Sequence, residues 1–211
     1  MKYFAYLVVV ASLIGGGRAE SADWVRAVIR DDAAALQRLI AQGTDPNEVD
    51  ENGQSAIGRA LLGESYGVAL VLARHPKLEV DRPNRAGETA LMLAALKGRE
   101  DIMRVLIDRG AALDPPQGWT PLHYAAAGDA LPVLRMLLGH QVRVDPIAPN
   151  GRTPLMLAAA YASEEVVDTL LSAGADAGTR EPQGRRAADF ARSASRDRLA
   201  ERLEALAGRA R

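Results

Sequence analysis

The sequence predicts an all-α protein built as an array of repeated helix pairs. Gly53, Gly87, Gly118, Gly151 and Gly184 lie 34, 31, 33 and 33 residues apart, and each opens a related phrase. A second helical pattern that ends in an apolar pair follows the first four phrases. Self-similarity at a period of this length predicts a repeat array, which overrides assignments made for single segments. The five phrases are GQSAIGRAL, GETALMLAA, GWTPLHYAA, GRTPLMLAA and GRRAADFAR.

The first helix of a unit is predicted to begin at a Thr-Pro pair. Pro121 and Pro154 suit the first helical turn because their missing N–H would have no partner there. Thr120 and Thr153 stand one residue earlier, where a side-chain oxygen can accept from the free amides of that turn. The Ala-Ala pairs that follow are small, so the helices of adjacent units can approach closely.

The second helix of a unit is predicted to end at a glycine. Gly110 and Gly174 stand where a helix favours a left-handed capping residue, and Gln141 takes that place in the unit that begins at Gly118. We call the turn that joins one helix pair to the next a finger. The unit that begins at Gly87 is two residues short, so we expect a clipped finger after it.

These features resemble the ankyrin repeat. Residues 120–126 read TPLHYAA, which contains the T-P-L-H-x-A signature, and residues 153–159 and 89–95 depart from it by one and two residues. The resemblance implies an all-α ankyrin-repeat solenoid of stacked antiparallel helix pairs with short β-hairpin-like fingers. Neighbour stacking would stabilise it. We expect one domain, 20–211, of about six units with degenerate ends: 22–52, 53–86, 87–117, 118–150, 151–183 and 184–208.

The N-terminus is typical of a secretory signal peptide. Lys2 precedes an apolar run from Tyr3 to Ile14, and Ala19 ends a glycine-rich stretch. A basic start, an apolar run of this length and small residues before the cleavage point define such signals. We expect a signal peptide over 1–19, cleavage after Ala19, and a periplasmic bacterial protein that does not contact the membrane. Retention of the segment as a membrane anchor is the alternative.

Composition excludes several classes of function. The chain has 211 residues, a formal net charge of −1 and no cysteine. No overall positive field would hold a phosphate backbone, so we do not expect nucleic-acid binding. Without cysteine, disulfides, thiol catalysis and cysteine-ligated metals are excluded. No phosphate-binding loop, zinc signature or cofactor motif is present, so we expect neither a metal nor a cofactor.

The stretch GESYG, residues 63–67, has the G-x-S-x-G spacing of a serine-hydrolase nucleophile elbow. Such an elbow connects a strand to a helix in an α/β sheet, whereas Ala60 and Leu61 are predicted to lie in a helix. The repeat register therefore makes Gly63 a turn residue and Ser65 the start of a second helix. We expect a protein that is not an enzyme; a hydrolase centred on Ser65 is the alternative of another class.

Other chemically suggestive residues also have structural interpretations. The resemblance implies that His123 bonds neighbouring units together, and Trp24 occupies a core position. Histidines 75 and 140 lie in connections without partners at metal-ligand spacing. The acidic pairs at 31–32, 100–101 and 164–165 are predicted near the starts of second helices, where negative charge favours the helix dipole.

The resemblance implies a protein–protein interaction module that binds an unknown, periplasmic protein partner through its concave face and fingers. We expect a monomer. Trp119 would be an exposed aromatic anchor, although packing on Pro115 and Pro116 is an alternative. Supporting a periplasmic enzyme and neutralising a toxin as an immunity protein both suit such an array. The candidate partner-binding residues are Gln54, Glu88, Leu96, Lys97, Trp119, Arg152 and Tyr161.

The last stretch of the chain is rich in arginine. Residues 180–211 contain nine Arg and five acidic residues. We expect them to form the solvated face of a capping helix, because Leu199, Leu203 and Leu206 supply a narrow apolar stripe. Contact with an acidic partner or with anionic lipid remains the alternative.

Overall fold

The computed structural model describes residues 22–51 and 53–209. The predicted signal peptide, residues 1–19, lies outside these described residues. The described chain is helical, with one isolated β-bridge between Val49 and Ser55, so the predicted all-α class is confirmed. The helices are α1 (Ala22–Ile29), α2 (Ala33–Ala41), α3 (Ala56–Leu62), α4 (Tyr66–Arg74), α5 (Ala90–Leu96), α6 (Glu100–Asp108), α7 (Pro121–Ala127), α8 (Leu131–Gly139), α9 (Pro154–Tyr161), α10 (Glu164–Ser172), α11 (Ala187–Ser193) and α12 (Asp197–Arg209).

The helices form two layers. The odd-numbered helices, which come first in each pair, pack against one another in chain order, and α2, α4 and α6 do the same on the other side. From α5 onward the first-helix layer is the more closely packed of the two. An array whose layers differ in spacing curves toward the closer layer, so the first helices line the concave face. No helix in residues 22–51 or 53–209 is long and apolar enough to cross a membrane.

Small residues allow the close approach in the first-helix layer. Ala90, Ala94 and Ala95 of α5 are all buried. Gly128, which caps α7, comes so near α5 that a Cβ on it would lie 2.2 Å from the carbonyl oxygen of Leu96. No side chain fits there without moving one helix away from the other.

Caps end the helices largely as the sequence indicates. Thr89 and Thr153 accept hydrogen bonds from the amides of Met92 and Met156 in the first turns of α5 and α9. The second helices α6 and α10 end near Gly110 and Gly174, which have φ of 85° and 98°. Gln141 takes the same left-handed conformation after α8, with φ of 58°, although it carries a side chain.

A ladder of acidic and amide side chains joins successive fingers. Asp81 accepts from the backbone amide of Ala112 at 2.9 Å, one unit further along. Three further residues make the equivalent bond: Asn47 to Glu79, Asp114 to Arg143 and Asp145 to Asp176. The members of this ladder recur at about the repeat spacing, but they were not among the residues predicted from the sequence.

The fingers are tight, hairpin-like turns, with one exception. Asn84 donates its amide to the carbonyl of Glu88, and Gly87 donates to Asn84, which closes the finger. Equivalent bonds close the fingers around Gly53, Gly151 and Gly184. The connection between α6 and α7 covers residues 109–120, two residues fewer than the next connection, 140–153. The predicted clipped finger is therefore present between two full-length ones.

Candidate interaction surface

Five side chains form a row along the concave layer, each directly after a finger glycine. We call Gln54, Glu88, Trp119, Arg152 and Arg185 the finger row. The first four were predicted as partner-binding residues. Arg185 was missed, although it follows Gly184 in the same register.

The first two members of the finger row bridge neighbouring units. The amide nitrogen of Asn84 donates to Gln54 Oε1 at 2.7 Å and to Glu88 Oε2 at 2.8 Å. The hydroxyl of Tyr124 donates to Glu88 Oε1 at 2.7 Å. Their acceptor oxygens are therefore engaged within the protein. These contacts make Gln54 and Glu88 inter-unit connectors, whatever they contribute to a partner.

Trp119 differs from the expectation of an exposed side chain. It is partly buried and packs against the core. Its ring meets His123 edge-on with centroids 5.2 Å apart, and Tyr124 with centroids 6.1 Å apart. The indole is therefore only partly exposed, because these two rings of the same unit cover part of it.

His123 bonds two units together, as the resemblance implies. Its Nε2 lies 3.0 Å from the carbonyl oxygen of Arg152. A carbonyl can only accept, so Nε2 carries the proton, and Nδ1 accepts from the backbone amide of Thr120 at 3.2 Å. Burial lowers the pKa of His123 to about 4, although the bond to Arg152 opposes this shift. The imidazole is therefore neutral near pH 7.

The last two members of the finger row share one aromatic ring. The guanidinium carbon of Arg152 lies 5.0 Å from the ring centroid of Phe190, and that of Arg185 lies 4.7 Å from it. Phe190 itself is buried. Arg185 also pairs with Glu181 through Nε at 2.9 Å. Two cations from neighbouring units are thus held over one ring at the C-terminal end of the row.

The remaining predicted residues, Leu96, Lys97 and Tyr161, lie where the first helix turns toward the second. We call them the inter-helix rim. Leu96 is partly buried, and Lys97 Nζ pairs with Glu64 of the preceding unit at 3.0 Å. Tyr161 is 64% exposed. The rim is thus at the opposite end of the first helices from the finger row, and its most accessible member is Tyr161.

Ser65 has a structural role. It is the N-cap residue of α4, after a turn in which Glu64 has φ of 62°. Its side chain is 4% exposed, and its hydroxyl donates to the backbone carbonyl of Val28 in the preceding unit. The turn from α3 to α4 joins two helices, so the strand-to-helix elbow that a serine nucleophile needs is not formed here.

The acidic pairs and Trp24 occupy the expected positions. Asp32 caps α2, and Glu100 and Glu164 lie in the first turns of α6 and α10. Trp24 is fully buried. Over the described ranges, no group of three or more His, Asp or Glu side chains could hold a metal ion.

Three residues of this surface had no place among the sequence predictions: Asn84, Phe190 and Arg185. Tyr124 and Phe190 occupy the same position, six residues after a finger glycine. Glu88 contacts the first, and Arg152 the second, across a unit boundary. The sequence signal for these contacts was a pair of repeat positions: the residue directly after one finger glycine and the residue six positions after the next. Only the stacking of units brings the two positions together.

Comparison with known proteins agrees with this geometry. A family model described as ankyrin repeats (3 copies) matches residues 24–117 and 111–181. Neurogenic locus notch homolog protein 4 of Homo sapiens is 46% identical over 93 residues, which are 43% of this chain and 5% of that protein. Protein glp-1 of Caenorhabditis elegans is 30% identical over 184 residues, 80% of this chain and 14% of that protein.

A third relative, the B-cell lymphoma 3 protein homolog of Mus musculus, is 29% identical over 151 residues, 69% of this chain and 34% of that protein. The chain thus spans about a third or less of the length of these relatives. The match to the family model extends over well more than half of the chain. This protein therefore belongs to the family of ankyrin-repeat proteins.

Proposed function

We propose that this chain is a non-enzymatic protein–protein interaction module that acts in the periplasm of a bacterium and binds a protein partner as a monomer. One observation carries the proposal: the finger row and the inter-helix rim recur unit by unit along one layer. Arg185 and Tyr161 remain exposed there. Ankyrin repeats mediate protein–protein interactions, which supports the general class.

A substitution of Tyr161 gives the most direct test of partner binding at the inter-helix rim. It is exposed, and large aromatic side chains dominate binding hot spots. We expect Tyr161→Ala to weaken capture of the natural partner at least about tenfold, or about 1.4 kcal/mol. Capture would be measured with purified, tagged protein returned to extracts of its host. Trp119→Ala is less decisive, because the change also removes ring contacts within the unit.

His140→Ala is the control for Tyr161→Ala. His140 is exposed but follows α8 in the second-helix layer, away from the proposed surface, so this change should leave capture unaltered. The melting temperature of each variant would show that the array is intact. Equal capture by Tyr161→Ala and the wild type would remove the rim from the surface.

The non-enzymatic part of the proposal has its own test. We expect the purified protein to be inert toward a panel of esters. Any esterase activity that disappears in Ser65→Ala, with the melting temperature retained, would instead support the hydrolase. Such a result is opposed by the buried bond from the Ser65 hydroxyl to Val28.

Export is tested by the chemistry of the chain's own N-terminus. We expect mass spectrometry of the protein from its host to find a mature chain that begins at Glu20, recovered with the periplasmic fraction. A chain that retains residues 1–19 in the membrane fraction would favour the tethered alternative. Light scattering on the mature protein would test the expected monomer.

A further inference from the structure

Arg152 and Arg185, the two arginines over Phe190, each have hydrogen-bond donors to spare. Across residues 22–51 and 53–209, the guanidinium of Arg152 forms no ion pair with a carboxylate. Arg185 uses Nε for Glu181 and is 45% exposed. Its two terminal nitrogens have no hydrogen-bond partner in that part of the chain.

The shared ring holds these donors in place. A guanidinium over an aromatic face is attracted by the ring quadrupole, and its N–H groups at the edge stay free to bond. Such a fork matches a carboxylate, which accepts two parallel hydrogen bonds. Because the ring belongs to α11 and Arg152 to the finger one unit earlier, the array itself sets the spacing of the two forks.

Charge differs between the ends of the finger row. The finger before α3, residues 42–55, contains four acidic residues and no Lys or Arg. The finger before α11, residues 173–186, contains Arg180, Arg185 and Arg186 against Asp176 and Glu181. A negatively charged segment is therefore attracted to the C-terminal end of the row and repelled from the N-terminal end.

We propose that Arg152, Arg185 and Phe190 form a docking site for an extended, acidic segment of the partner protein. This inference rests on the proposed function and names the chemistry of the partner. Alternate residues of an extended strand project to one side and lie roughly 7 Å apart. Guanidinium carbons 5.0 and 4.7 Å from one ring centroid allow a spacing of that order. An extended segment with acidic residues at i and i+2 could therefore bond to both forks.

Two synthetic peptides test the site directly. An eight-residue peptide of alternating Glu and Thr is extended and acidic on one side, and its Lys–Thr counterpart has the opposite charge. We expect the Glu–Thr peptide to bind the mature protein and the Lys–Thr peptide not to bind, by isothermal titration in about 50 mM salt. Binding should weaken in about 300 mM salt because exposed charges are then screened.

Variants locate the binding. We expect R152A/R185A to weaken Glu–Thr binding at least about fivefold, and R152E/R185E to bind the Lys–Thr peptide instead. R104A/R135A is the matched control: it removes the same charge from exposed positions on α6 and α8 and should lose much less. Melting temperatures and helical circular dichroism would show that each variant keeps its fold.

Phe190→Leu separates the ring from the charges. It keeps both arginines and an apolar core residue but removes the aromatic face, so we expect severalfold weaker peptide binding. Equal losses in R104A/R135A and R152A/R185A would overturn the site in favour of nonspecific charge attraction. Inorganic tripolyphosphate that competes as well as the peptide would replace the acidic segment with a phosphate ligand.

Partner capture by these variants also distinguishes failure of the acidic docking site from failure of the proposed function. If partner capture depends on Tyr161 but is unchanged in R152A/R185A, the acidic docking site is wrong and the interaction module stands. If capture depends on neither Tyr161 nor the two arginines, the concave surface itself is wrong.

Discussion

His123 is a fully buried histidine with a partner on each ring nitrogen. Protonation of Nδ1 would put a charge in the core and turn an acceptor into a donor facing the amide of Thr120. The unfolded chain pays no such penalty, so acid favours unfolding. The same residue that bonds two units together thus limits the stability of the array at low pH.

The pH dependence of stability follows from the sign of this shift. The pKa of His123 falls from 6.5 to about 4 on folding, so the unfolded state binds more protons between these values. The contribution is complete above pH 6.5 and declines as pH falls toward 4. Between about pH 7.5 and pH 5 we expect a loss of roughly 2 kcal/mol, measured by urea unfolding.

Substitutions assign that pH dependence to one imidazole. His123→Gln should be less stable at about pH 7.5 but should lose less stability on acidification. His140→Gln, a change in an exposed histidine, should keep the wild-type slope. A slope that persists in His123→Gln would mean that other groups cause it.

Gln141 carries the left-handed backbone that Gly110 and Gly174 carry in other units. A side chain in this conformation is strained because its Cβ approaches the carbonyl oxygen. We expect Gln141→Gly to stabilise the protein by about 0.5–1 kcal/mol, seen as a higher melting temperature. Gln42→Gly is the control, since exposed Gln42 has φ of −83°. Its substitution should not stabilise, because glycine only adds freedom to the unfolded chain there.

The individual helices are too short to be stable alone. α3, α5, α7 and α11 have seven residues each, whereas isolated helices are marginal below about 12–15 residues. Caps and contacts from adjoining units therefore stabilise them. The Asn47, Asp81, Asp114 and Asp145 ladder supplies one such contact at each boundary between fingers.

Asp81 tests the ladder because its change affects a single identified bond. Asp81→Ala leaves the amide of Ala112 without its acceptor, and we expect a loss of about 1 kcal/mol in denaturant unfolding. Asp81→Asn keeps a side-chain oxygen and should recover much of the loss. Asp108→Ala removes an exposed carboxylate at the end of α6 and should change stability little. Similar losses in both alanine variants would argue against the ladder.

The whole array depends on contacts between successive units, because no helix pair buries its apolar surface alone. The buried residues form one continuous core from Trp24 to Ala207. Gly128 lies at the boundary between the third and fourth units, against the backbone of Leu96. A change there acts on the coupling between two halves of the molecule.

Gly128→Ala should weaken the cooperativity of unfolding between the two halves of the molecule. Its methyl group would meet the Leu96 carbonyl at 2.2 Å, so α5 and α7 must move apart, at a cost of roughly 1–3 kcal/mol. We expect a lower apparent m-value, or two transitions, in urea. Hydrogen exchange should be faster in α5 and α7. Gly139→Ala, where a Cβ meets nothing within 4 Å, should leave both measurements near those of the wild type.

Specific residues show how far sequence reasoning reached. The burial of Trp24, the position of Ser65 at the start of a helix and the inter-unit bond of His123 were all predicted, because each follows from a position within the repeat. Trp119 was expected to be exposed but is partly buried, since its contacts with His123 and Tyr124 depend on side-chain direction. The engagement of Glu88 by Asn84 and Tyr124 was missed because those partners come from two different units.

The sequence by itself determined the repeat period, the helix pairs and their caps, and the clipped finger. These depend on residues close together along the chain, where local backbone chemistry dominates. Only the tertiary structure decided which finger residues bond internally and which remain available to a partner. Stacking places residues about one repeat apart side by side, so Gln54 and Glu88 became connectors while Arg152 and Arg185 converged on Phe190.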